Sequence, residues 1–233
     1  MPALTTRVAR RLKSTGLVNR LVRYSPRHYG EVRHLLRDLD AKDRERRRAL
    51  SLRLTARALT WARRAPVGRE HGASLADWPI IDQRALRERA SSYCVLECSW
   101  LPAETAGTTG APVSVDRSRR CLAAGQAFID DLMGVWDLTF ATARIARLRS
   151  DSAHVQLEAV PGSDSPPGHR AFGIIATGFW NEAMPLVRYR TDDVAFVPDS
   201  YTPSDIDDVT LGLKPVVAIR RASGERPRSS GAC

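Results

Sequence analysis

"HVQLEAV" (His154–Val160), "GSDSPPGH" (Gly162–His169) and "FGIIATGF" (Phe172–Phe179) form the stretch on which the reading of the fold turns. The first alternates polar and apolar side chains with the period of two that a half-buried strand requires. The second is dense in turn formers, and the third is a β-rich run, so together they predict an antiparallel hairpin. "PLVRYR" and "VAFV" continue the strand signal beyond it. "PDSYTPSDIDD" reads as acidic and turn-rich, "KPVVAI" as one more strand, and "RRASGERPRSSGAC" as a frayed end.

On the N-terminal side the period changes to that of helices. "SRRCLAAGQAFIDDLMGVW" sets Leu122, Phe128, Ile129, Leu132 and Met133 at helical spacing. "EVRHLLRDLDAKDRERRRALSLRLTARALTWARRA" predicts two helices, with Val32, Leu35, Leu36 and Leu39 on the first and Leu52, Ala56, Leu59 and Ala62 on the second. The charged "DAKDRERRR" joins them or forms an exposed helical turn. "WPIIDQRALRERAS" predicts an ordered Trp-Pro loop followed by Asp82 as the N-cap of a short helix. Near the start, "RVARRLKSTGLVNRLVRY" places Val8, Leu12, Val18, Leu21 and Val22 compatibly with one helical face, expected to pack on its own domain.

Composition bounds the function classes. With 233 residues, 43% hydrophobic and 27% charged, the chain is long enough for one sizeable domain or two small ones. It has no apolar run of spanning length and no secretory signal pattern, so the expected compartment is the cytoplasm. Cysteines at 94, 98, 121 and 233 lack the spacing of a zinc site and the density of a disulfide scaffold, and read as buried or incidental thiols. The histidines are scattered without ligand spacing, and no metal site is expected. The net charge of +10 is uneven: residues 1–90 hold 22 Lys+Arg against 9 Asp+Glu, and Met1–Gly30 contains no acidic residue. Such a region can decorate solvated helix faces. It can also attract nucleic acid or an anionic membrane, although no aromatic interleaving for base stacking accompanies it.

Two motifs point to chemistry. In "AETAGTTGAPVSVDRSR" (Ala103–Arg119), Gly107, Thr108, Thr109 and Gly110 precede a strand-like "PVSV". Glycines let backbone N–H groups converge on an anion, and threonine hydroxyls add donors to phosphate oxygens. In "GFWNEAMPLVRYRTDDVAF" (Gly178–Phe196), the acidic pair Asp192-Asp193 is expected where a strand ends, a place from which a carboxylate can accept hydrogen bonds from two ribose hydroxyls.

In this order the motifs resemble the adenylate-forming ligases. "TAGTTGAP" is similar to their glycine-threonine phosphate loop, and "AMPLVRYRTDD" to the "PLIRYRTGD" segment of the phenylacetate–CoA ligase and CapK-like branch. The helical "LSLRLTARALTWARRAPV" and "WPIIDQRALR" resemble the same branch, so the likeness touches residues ~30–135 and ~153–197. The resemblance implies an α/β fold: a helical N-terminal third, then a partial adenylate-forming-enzyme N-terminal domain with a mixed sheet and an antiparallel β hairpin. It divides the chain into a basic helical region (1–90), a partial nucleotide-binding α/β region (91–197) and a short tail (198–233), a remnant of the C-terminal lobe.

The implied reaction has two halves: a carboxylic acid attacks the α-phosphorus of ATP, with Mg2+, to give an acyl-adenylate, and a thiol such as coenzyme A displaces AMP. Gly107, Thr108, Thr109 and Gly110 would hold the triphosphate and Asp193 the ribose; no catalytic residue is assigned. The chain departs from the pattern in three ways. Asp192 stands where the family has glycine. The family segment that supplies the acyl pocket, adenine contacts and an aromatic-Thr-Glu motif is absent before "HVQLEAV". No hinge or terminal catalytic lysine can be assigned after Asp193, Arg220-Arg221 being the one candidate remnant of a hinge. These departures set an inactive, shortened homologue, or a non-catalytic basic module acting through residues 1–90, beside the active ligase as expectations.

Overall fold

The computed structural model describes residues 16–38, 43–104, 114–136, 153–160 and 165–221. Helices α1 (Gly16–Arg23), α2 (Pro26–Asp38) and α3 (Arg44–Ala62) come first, then a short α4 (Gln83–Glu88). A two-stranded hairpin follows, β1 (Leu101–Glu104) and β2 (Ser114–Arg117), leading into α5 (Arg119–Trp136). The remainder is a four-stranded sheet, β3 (Ala153–Ala159), β4 (His169–Gly178), β5 (Tyr189–Pro198) and β6 (Ala218–Arg221), with α6 (Pro203–Thr210) between its last two strands. Among the described residues no helix is long and apolar enough to cross a membrane.

The α/β character expected from the sequence is the one the chain adopts. The sheet is antiparallel where a mixed one was expected: its order is β3-β4-β5-β6 with every named neighbour antiparallel, and β1 pairs antiparallel with β2. Parallel pairing among the described residues is confined to a bridge in which Ile81 N–H donates to Arg188 O (3.1 Å) and Arg190 N–H donates to Ile81 O (2.7 Å). That bridge occupies the flank of β5 just before β6 begins to pair at Asp193.

Local chemistry explains the boundaries. The β3–β4 hairpin closes through Pro167-Gly168: His169 N–H donates to Pro166 O at 3.1 Å and Gly168 has φ +73°. Proline followed by a positive-φ glycine is the requirement of a type II turn. Asp82 caps α4 by accepting from Ala85 N–H at 2.8 Å, and Asp43 caps α3 by accepting from Arg46 N–H at 3.1 Å. The charged run after Asp43 is therefore the first turn and a half of α3. Past the end of α3 the chain folds back so tightly that a Cβ on Gly68 would lie 1.9 Å from Ala62 O, leaving glycine as the residue that fits.

Several sequence expectations are corrected. Leu52 and Ala56 of α3 are exposed, the buried apolar face being Leu54, Ala58, Leu59 and Ala62. Pro185–Arg188 of "PLVRYR" is not strand; β5 starts at Tyr189, because Met184 and Val187 are buried by loop packing and not by sheet pairing. "PDSYTPSDIDD" contains α6, started by a capping box in which Thr202 Oγ1 accepts from Asp205 N–H and the Asp205 carboxylate accepts from Thr202 N–H. Asp192 and Asp193 do not stand at a strand end. They lie inside β5, where Thr191, Asp192 and Asp193 together oppose the single residue Ile174 between the pairs Ile175–Arg190 and Gly173–Val194.

The helices share one core with the connection that leaves β4, while Val155, Ile174 and Ala195 of the sheet form a cluster of their own. Val32 and Leu36 of α2, Leu54 and Ala58 of α3, and Ala124 and Ala127 of α5 bury together with Phe179 and Trp180. Alanines on α5 let its neighbours approach closely, and burial of this set supplies apolar stabilisation of order 25 cal/mol per Å² removed from water. α1 packs on α5, with Arg23 reaching Gln126 at 3.4 Å, but Leu21 of the expected apolar face is exposed, and Val8 and Leu12 lie outside the described residues. α3 also lies against β3 and β4.

Candidate functional site

The segment Phe179–Arg188, which joins β4 to β5, is a connection with a core residue's burial. Phe179, Trp180, Ala183, Met184 and Val187 are all buried. Connections normally run over the surface because buried backbone polar groups need partners, so this one must have its hydrogen bonds accounted for. Gly178 N–H donates to Leu186 O (3.1 Å), Val95 N–H donates to Ala183 O (2.8 Å), and Arg188 N–H donates to Thr177 Oγ1 (2.9 Å).

Asn181 attaches this connection to the base of the glycine-threonine segment. Its Nδ2 donates to Asp116 O at 2.8 Å and to Met184 O at 3.3 Å, while its Oδ1 accepts from Ser118 N–H at 3.0 Å. One amide thus holds both sides of Arg117, where β2 turns into α5. Ser118 is wholly buried, and its Oγ accepts from Cys121 N–H at 3.1 Å, serving the first turn of α5. Beside it Cys94 Sγ lies 3.6 Å from Asp116 Oδ2; burial and then that carboxylate push the Cys94 thiol up to about 11. The cysteines at 94, 98 and 121 are free thiols.

Gly107, Thr108, Thr109 and Gly110 lie outside the described residues. Their frame is described: the segment leaves β1 at Glu104 and returns at Ser114, and these two residues are paired across the hairpin. Asp193 is half-buried in β5, its N–H donating to Thr191 Oγ1 at 3.2 Å, while Thr191 Oγ1 donates to Ile174 O at 3.2 Å. The threonine hydroxyl therefore fills the gap that the extra residues open in the ladder. Asp192 is exposed and does not have a positive φ, so the aspartate standing at the family's glycine carries no left-handed strain. Arg220 and Arg221 are in β6, paired with Val194 and Asp193.

Val115 of β2 and Tyr189 of β5 pack in one cluster with Ile81, Leu86, Tyr93 and Met184. The root of the glycine-threonine hairpin and the start of β5 are consequently held against the same apolar surface. Asp193 stands four positions further along the strand, about 13 Å at ~3.3 Å per residue.

The sequence reading did not single out Asn181, Ser118 or Arg188 as site residues. Arg188 has φ +49°, unusual for a residue with a side chain, and its Nη1 donates to Trp78 O at 2.7 Å. Its conformation is held by partners at 177, 78 and 81, none of them local. The one available signal was an asparagine amid the apolar "GFWNEAMPL", where an amide needs a buried partner.

Behind the connection lies a charged layer. Glu31 accepts from Arg57 (2.7 Å) and Arg120 (2.6 Å), and Arg120 Nε is 3.7 Å from Glu182. The Arg57 guanidinium sits 4.6 Å from the Trp180 ring and 5.0 Å from that of Trp61. Desolvation, outweighing Glu31, lowers the Arg57 pKa.

No protein-family model matches the chain, and no curated protein matches it.

Proposed function

We propose that this chain is a homologue of the ATP-dependent carboxylate-activating ligases, a cytoplasmic protein that binds ATP and Mg2+ through the hairpin loop and Asp193. The activity proposed is acyl-adenylate formation on a small carboxylic acid, followed by transfer to a thiol such as coenzyme A. The observation that carries the reading is the Asn181 amide. It fastens the connection that leads into the second motif, at Met184 O, to the β2–α5 junction that follows the first, at Asp116 O and Ser118 N–H.

The donor set suits the nucleotide. Loop threonine hydroxyls and backbone N–H groups are phosphate donors, and a half-buried carboxylate at a bulge is an acceptor for paired ribose hydroxyls. Catalysis of this kind depends on positioning and charge stabilisation; the loop N–H groups and hydroxyls would supply donors to the phosphate oxygens, and the Asp193 carboxylate would position the ribose. The basic-module reading draws less support. Arg33, Arg44, Arg57, Arg64 and Arg84 of residues 1–90 each hold a carboxylate of this chain, leaving less charge for an external polyanion.

Titration calorimetry with ATP and Mg2+ tests binding, and carboxylate-dependent pyrophosphate exchange tests the chemistry. Saturable ATP binding that weakens about tenfold or more in Asp193→Ala, and again in Thr108→Ala/Thr109→Ala, is the expected result, since hydrogen bonds to charged groups contribute about 1.5–3 kcal/mol. No heat at millimolar nucleotide overturns the reading. ATP binding without exchange leaves a nucleotide-binding homologue and removes the ligase activity.

A further inference from the structure

A cavity of about 680 Å³ opens between α2 and α3. One stripe of α3 forms most of its wall: Arg46, Leu50, Arg53, Leu54 and Arg57 recur at the i, i+4, i+7, i+8, i+11 spacing of a single helical face. Opposite stands Leu35 of α2, and Leu35 and Leu50 rest on the buried core that includes Leu54. The floor is therefore aliphatic and the edge carries guanidinium groups.

The charge on that edge is not balanced within the cavity. Glu31 is the one carboxylate among its described lining residues, and it is already bound by Arg57 at 2.7 Å and Arg120 at 2.6 Å. Among the described residues neither Arg46 nor Arg53 forms an ion pair, and both are exposed. An apolar slot of drug-sized volume with a few convergent polar groups is the usual form of a small-molecule site. Here the polar groups are planar forks suited to a carboxylate.

From this geometry we propose a second binding site on the molecule, one for an aliphatic carboxylate whose chain lies along Leu35, Leu50 and Leu54 and whose head group is held by Arg53. The site is independent of the ligase reading: it needs neither ATP nor the hairpin loop. Burying an alkyl chain contributes about 0.8 kcal/mol per methylene, so affinity rises with chain length until the slot is filled. The head group then selects the anion over a neutral amide of equal length.

Calorimetric titration of the full chain with decanoate, without nucleotide, tests the proposal. The expected result is saturable binding of one decanoate per chain, with decanamide and acetate each at least about tenfold weaker. Arg53→Glu, at an exposed position, weakens decanoate about tenfold or more, as loss and reversal of a charge-assisted bond should, and Arg53→Lys retains most of the affinity. Thermal unfolding of each variant shows whether the fold is kept. Absence of saturable binding, equal affinity for decanamide, or an Arg53→Glu variant that is folded and binds decanoate normally overturns it. Loss of ATP binding in the separate experiment leaves this result untouched.

Discussion

Ser118 donates its backbone N–H to Asn181 Oδ1 at 3.0 Å across 63 residues of chain, and the same amide returns a hydrogen bond to Asp116 O. Neither backbone group has a replacement partner close by in sequence, because β2 ends and α5 begins between them. Asn181→Ala leaves a donor and an acceptor short of partners in a half-buried place, and is expected to lower stability by about 2 kcal/mol. Asn181→Asp keeps the acceptor for Ser118 but sets a carboxylate oxygen against the Asp116 carbonyl, and is expected to be no better tolerated. Urea unfolding midpoints at constant slope measure both, and an Asn181→Ala midpoint equal to the parent's would remove the fastening role.

Thr177 plays the corresponding part at the other end of the connection. It is buried, and its Oγ1 accepts from the N–H of Arg188, the residue with φ +49°. Thr177→Val preserves shape and removes the acceptor, so an expected loss of about 1–3 kcal/mol reports the unsatisfied N–H. Thr177→Ser keeps the hydroxyl and should recover most of that loss. Denaturant unfolding of the pair separates hydrogen bonding from packing: a Thr177→Val variant as stable as the parent, or a Thr177→Ser variant destabilised more than Thr177→Val, would mean that the methyl, not the acceptor, matters.

What the sequence made legible was local. The type II turn at Pro167-Gly168, the Asp82 cap and the helix through Ala123–Ala127 depend on neighbours a few positions away, and each follows from its own chemistry. Helix α6 was also written locally, in the Thr202–Asp205 capping box with Pro203 at the first turn, but its acidic composition resembled a turn. By contrast, the burial of Pro185 and Val187 without strand pairing, the bulge at Thr191–Asp193 and the Asn181 fastening are decided by partners tens of residues away. A period-two or period-3.6 pattern contains nothing about such partners, which is why "PLVRYR" read as strand and Asn181 was passed over.

The thiols offer a test of burial near the candidate site. Desolvation, then the Asp116 carboxylate, pushes the Cys94 thiol up to about 11, and desolvation does the same for Cys121, also to about 11. At pH 8 the thiolate population of each is then at least about 100-fold below that of an ordinary cysteine with a pKa near 8.5. Alkylation by iodoacetamide, followed by peptide mass analysis, should modify both slowly in the native chain and rapidly in urea. Native Cys94 reacting at the denatured rate would show that the base of the hairpin is open to solvent.

Two histidines make stability depend on pH in one direction. His154, on β3, has Nδ1 3.2 Å from Ser51 Oγ of α3, and burial lowers its pKa from 6.5. His28 is lowered as well, first by burial and next by the Arg120 guanidinium, against the opposing pull of Glu182. A base whose folded pKa lies below its unfolded value binds its proton more readily in the unfolded chain, so stability rises with pH through this range. Their contribution is complete above the unfolded pKa and diminishes as the pH falls from about 7 through 6.5 toward 5, a window above the ordinary carboxylate pKa values. Thermal unfolding should therefore show a melting temperature that drops between pH 7.5 and pH 5. His154→Asn should reduce that drop, and His28→Asn combined with it should reduce it further. A melting temperature that is flat over this interval, or equally steep in the double variant, would locate the pH dependence in other groups.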